Sequence, residues 1–167
     1  SDMVSFGVLP AFLLYYVYQK GFLLDQTDPF LSVPLTRNLI GISILMMPAA
    51  AAIRLARFNI YDKGDGVFSG LATPANALFW TGIYAEVMKN GILYDHSRFV
   101  WLLLIIQVLF TALMILPVPM FSLKFKNYRL KENFIRYFFL LLAVILFIFG
   151  GMQALPLIIL CYILLSF

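Results

Sequence analysis

Two arginines, Arg54 and Arg57, close the apolar stretch PAAAAIRLARFNI at residues 48–60. On a helix an i, i+3 pair projects from one side about one turn apart, so the spacing predicts a single cationic patch. Guanidinium groups hold phosphate or carboxylate bidentately, and that is the chemistry such a patch offers. Asn59 and the small alanines at 49–52 and 56 predict a helix facing protein rather than lipid. The competing reading is a positive-inside anchor, because arginine at the end of a membrane segment snorkels to the interface.

A second stretch, FSGLATPANA at residues 68–77, has the chemistry of a helix start. With Thr73 as N-cap and Pro74 as the first helical residue, the positive dipole end and its N–H groups face the side on which the arginines end. Gly70, Ala72, Ala75 and Ala77 leave space for a ligand, although an ordinary helix start has the same signature. Asp2, directly before an apolar run, reads by itself as a helix cap. Asp62 and Asp65 in YDKGDG are too closely spaced for a calcium loop and lack its closing glutamate, so a solvated turn is expected there. Glu86 and Lys89 are expected to form a snorkelling ion pair. His96 reads as interfacial, and Cys161 has no partner for a disulfide.

These residues must be positioned by membrane helices. Of 167 residues, 63% are hydrophobic and 12% charged, with a mean hydropathy of +0.95, far outside the range of soluble domains. Apolar segments are predicted at about 3–18 with a kink at Pro10, 37–60, 74–90, 99–116, 134–149 and 152–167, the last two joined by a tight turn at Gly150-Gly151. The expected fold is all-α and polytopic, with about six transmembrane helices forming a single integral-membrane domain over residues 1–167.

Under that topology Arg54, Arg57, YDKGDG and the basic loop KFKNYRLKEN (124–133) share the side of Asp2. The lysine and arginine bias places that side in the cytoplasm. A net charge of +4, spread over loops, suits an anionic lipid surface and not nucleic acid. Ser1 is not a start methionine, and Ser1-Asp2 stands against an apolar run, so the natural N-terminus is expected upstream.

SDMVSFGVLPA, AAIRLARFN and FSGLATPANA, in this order, resemble the phosphatidylserine synthase branch of the CDP-alcohol phosphatidyltransferase family. The family signature is D-x-x-D-G-x-x-A-R, a spacer, then G-x-x-x-D-x-x-x-D, and Asp2 is similar to its last aspartate. The earlier aspartates are absent, and Ala72 stands where the family usually has proline.

The resemblance implies about eight helices in the complete protein, of which this chain would carry the C-terminal portion. It also implies an inner or cytoplasmic membrane location with a cytoplasmic active site, and a homodimer. The implied reaction is displacement of CMP from CDP-diacylglycerol by the hydroxyl of L-serine. Asp2 would be the general base and a ligand of Mg²⁺ or Mn²⁺. Arg54 and Arg57 would bind phosphate or the serine carboxylate, with Asn59, Thr73 and Asn76 as further members of the pocket. The alternatives are a transferase of the same family with another acceptor alcohol, a transporter with an arginine-lined cavity and an inert helical scaffold.

Overall fold

Pro10 has no N–H to offer the carbonyl four residues back, and the chain around it departs from α geometry. A π-helical turn, Val4–Val8, precedes α1 (Leu9–Leu24), and the N–H of Leu9 reaches the carbonyl of Val4. The break expected at Pro10 takes the form of this turn, which carries one extra residue. The computed structural model describes residues 2–24, 34–61, 68–91, 96–120 and 133–166.

The other helices follow the apolar segments. The longest, α2 (Pro34–Tyr61), continues through Pro48. Next come α3 (Thr73–Asn90), α4 (His96–Ile115), α5 (Phe134–Gly150) and, after a 3-10 turn at Gly151–Ala154, α6 (Leu155–Ser166). The turn begins at Gly151, whose φ is +56°. The all-α expectation holds but for a two-residue antiparallel pair, Phe68–Ser69 with Pro119–Met120.

Two starts moved: α4 begins at His96 rather than Phe99, and α3 begins at Thr73 with Ala72 as its N-cap. Thr73 is therefore a first-turn residue rather than the cap, and no side chain caps this helix. Ala72 holds φ −61° and ψ 134°, a conformation proline also adopts.

Among the described residues, three stretches are long and apolar enough to cross a membrane: Asn38–Arg57, Arg98–Ile115 and Phe134–Ser166. The last runs through α5 and α6. The exterior is correspondingly apolar, with Phe12, Leu45, Ile105, Leu141, Ile148 and Leu164 exposed. In water such a surface would be a liability; in lipid it is the expected exterior of a membrane protein.

Inside, α2 packs on α4, and α3 packs on both α1 and α6, with α5 on the outer side of α6. The core gathers Tyr18, Met47, Leu71, Trp80, Leu103 and Phe110, with the rings of Phe79 and Phe110 4.2 Å apart. One polar cluster crosses it. The Tyr18 hydroxyl donates to Oε1 of Gln107 at 3.0 Å. Ser43 has one hydroxyl proton, and its 2.7 Å contact with the carbonyl of Ile40 is better than the 3.3 Å contact with Gln107.

Hydrogen bonds between helices define the two ends of the bundle. At one end Lys20 donates to the carbonyl of Val87, and Lys89 donates to Oε1 of Gln153 in the 3-10 turn. Glu86 accepts from Asn90 instead, so the expected Glu86–Lys89 ion pair is replaced by two neutral partnerships. At the other end lie the last turns of α2 and α4, the start of α3 and the π-helical turn.

Candidate functional site

Gly7 brings the π-helical turn against α2. A Cβ at this position would lie 3.0 Å from that of Ala51 and 3.4 Å from the Cα of Pro48. Ala51 is buried at this contact, which a larger side chain would hold apart. The same turn also packs on α3. Asp2, exposed at the head of this helix, stands two residues before the turn that packs on α2 and α3.

The two arginines begin on one side of α2 and reach different helices. Arg57 is exposed, and its Nη1 donates to the carbonyl of Ile115 at 2.7 Å. A cation at the C-terminus of α4 satisfies one of the last helix carbonyls and meets the negative end of the dipole. Arg54 is half-buried. Its Nε is shielded from solvent and has no hydrogen-bond partner among the described residues, and Tyr162 of α6 is in its neighbourhood. Arg57 thus fastens two helices, and Arg54 brings a buried donor to the interior side of the same end. The side chain of Asn59 lies outside the described residues, as do Asp62 and Asp65.

The start of α3 is fixed by a strap. The N–H of Gly70 reaches the carbonyl of Val118, and that of Leu71 reaches Leu113, both at 2.8 Å. Gly70 has a φ of +80°, and a Cβ there would lie 2.9 Å from the carbonyl oxygens of Leu113 and Leu116. Only glycine meets both demands. The strap sets the first turn of α3 beside the C-terminus of α4, with Thr73 and Asn76 both buried. Asn76 is wholly buried; its Oδ1 accepts from Nε1 of Trp80 at 3.1 Å, while its Nδ2 has no partner among the described residues.

The structure therefore brings Asp2, Arg54, Arg57, Thr73 and Asn76 to one end of the bundle. It adds Tyr162 and Trp80, which sequence reasoning passed over. Trp80 was legible as the i+4 neighbour of Asn76 on one helix face. Tyr162, on another helix far along the chain, left no local signal.

A Mg²⁺ or Mn²⁺ ion takes several oxygen ligands, carboxylates prominent among them. Among the described residues no group of three or more His, Cys, Asp and Glu side chains lies together. The single carboxylate of Asp2 does not fit such an ion by itself.

No family model matches this chain, and no solved structure matches it. A stretch of 83 residues, 49% of this chain, is 40% identical to the CDP-diacylglycerol–serine O-phosphatidyltransferase of Methanocaldococcus jannaschii. The similarity is to a phosphatidyltransferase. The match spans 31% of the length of that curated relative.

Proposed function

We propose that this chain carries part of the active site of a phosphatidyltransferase that moves the phosphatidyl group of CDP-diacylglycerol to the hydroxyl of L-serine and releases CMP. The observation that carries the reading is the gathering of a carboxylate, two guanidinium groups and a helix start at one end of a membrane bundle. The partial similarity to a serine-using phosphatidyltransferase supports it. Six crossings, with this end in the cytoplasm, complete the proposal.

In this reaction the serine oxygen forms a bond to the phosphatidyl phosphorus, and the bond from that phosphorus to the CMP oxygen breaks. CMP leaves with the electron pair. Asp2, at the mouth of the bundle, is the base that receives the hydroxyl proton. Arg54 supplies a half-buried cation, whose attraction for a phosphate or a carboxylate grows as solvent is excluded. Arg57 holds α2 against α4 and so fixes where Arg54 sits. The acyl chains of the donor remain in lipid beside the exposed apolar faces.

The test uses the natural full-length protein in detergent with CDP-diacylglycerol and Mn²⁺. CMP release is followed with L-serine, glycerol 3-phosphate, inositol or no acceptor, beside Asp2→Asn. Release that requires serine and falls by at least about 100-fold in the variant is expected for a lost general base. Release with a different acceptor would overturn the substrate, and no release with any acceptor would overturn the reaction.

A further inference from the structure

Asn76 sits in the first turn of α3, wholly buried, and Trp80 lies one turn further along the same face. An indole N–H can only donate. The amide atom 3.1 Å from Nε1 of Trp80 is therefore the oxygen, and chemistry rather than electron count fixes the sense of this carboxamide. The NH₂ group is left on the other arm of the plane.

Helix side chains lean toward the N-terminus, so the indole of Trp80 comes back over Asn76, and Asn76 in turn leans over the turn that holds Thr73. With its oxygen committed to Trp80, the amide keeps its NH₂ on the other arm, on a side chain that leans over the first turn of α3. There Nδ2 has no partner among the described residues. A buried N–H₂ without an acceptor is costly, and the start of a helix already favours negative charge. Both features ask for the same thing, an oxygen bearing lone pairs and negative charge.

We propose that the Asn76 carboxamide is a hydrogen-bond donor for a substrate oxyanion seated at the start of α3, and that Trp80 is the positioning residue that holds it in that sense. The assignment rests on the function proposed above and sharpens it. The oxyanion is either the carboxylate of the acceptor or a phosphate oxygen of the nucleotide lipid. Asn76 contributes a donor, Arg54 contributes charge, and the two approach from different helices.

The experiment measures binding by thermal shift of the full-length protein in detergent, with L-serine in one arm and CDP-diacylglycerol in the other. Asn76→Asp keeps an oxygen for Trp80 and replaces the NH₂ by an anionic oxygen. For one of the two probes its half-saturating concentration is expected to rise at least tenfold. The melting temperature without ligand is expected to fall, because the new carboxyl group is wholly buried, so each shift is read against the variant's own ligand-free value. Trp80→Phe keeps the NH₂ and frees the amide to turn over, so it is expected to weaken the same probe about threefold and to add nothing in the Asn76→Asp background.

Parent-like binding of both probes by Asn76→Asp would overturn the proposal, as would a parent protein that binds neither. If Asn76→Asp does not fold, Trp80→Phe decides: unchanged binding of both probes overturns the assignment. CMP release from the same preparations reads the reaction separately. No release, with Asn76-dependent binding intact, removes the reaction and leaves the donor site; unaltered release and binding in Asn76→Asp remove the donor site and leave the reaction.

Discussion

Nη1 of Arg57 donates to the backbone carbonyl of Ile115 across a sequence separation of 58 residues, at 2.7 Å. This contact makes the second arginine of the pair a fastener between α2 and α4, and it separates the roles of two residues that look alike in sequence. Arg54, three positions earlier, is half-buried, with its Nε out of reach of solvent.

Arg54→Gln removes the buried charge while keeping an amide donor. Its KM for serine or for CDP-diacylglycerol is expected to rise at least about tenfold, with the apparent melting temperature little changed. Steady-state kinetics with each substrate varied in turn would show which oxyanion it serves. Unchanged KM values for both would remove Arg54 from the site.

Arg57→Gln is expected to show the opposite pattern. Loss of a charge-assisted bond at an exposed helix end costs about 1 kcal/mol, seen as a lower melting temperature. KM values should move less than in the Arg54 variant. A larger kinetic effect at Arg57 than at Arg54, with stability unchanged, would reverse the assignment of the two roles.

Gly70→Ala should be the most damaging small change in the strap. The φ of +80° costs an L residue about 1–2 kcal/mol, and the added methyl group also meets the carbonyls at the end of α4. Thermal unfolding in detergent would register the loss. Parent-like stability would mean that the strap moves freely, and the placement of Thr73 and Asn76 would lose its foundation.

Gln107→Leu removes the acceptor of the Tyr18 hydroxyl inside the bundle. Interhelical polar contacts in membranes average about 0.6 kcal/mol, so the expected loss is small and grows only if the hydroxyl finds no other partner. The double variant with Tyr18→Phe should recover part of that loss, because no unpaired hydroxyl then remains. A double variant less stable than Gln107→Leu alone would show that the pair matters by packing.

Much of this fold was legible because membrane helices are written in continuous apolar runs. Segment ends at Gly91, Gly150-Gly151 and Pro117 were marked by residues that favour the end of a helix. The π-helical turn was not, because Pro10 signals a break in α geometry without saying which form it takes.

The site was legible only in part. Arginines three apart announce a common side, yet nothing local tells that one reaches Ile115 and the other keeps its Nε from solvent. Those destinations depend on which helices neighbour α2, a tertiary fact. The Glu86–Lys89 pairing failed for the same reason, since Gln153 arrives from another part of the chain.

The π-helical turn between Asp2 and α1 makes the first carboxylate sensitive to length rather than to identity. Deleting one residue from Val4–Val8 would let the turn relax to ordinary pitch and swing everything before it by about 100° around the helix axis. Gly7 apart, substitutions at the exposed positions of that turn can be absorbed by lipid, but a single-residue deletion cannot. The five residues of the turn act as a phase setting for the head of the helix, and natural variation there should change letters while keeping their number.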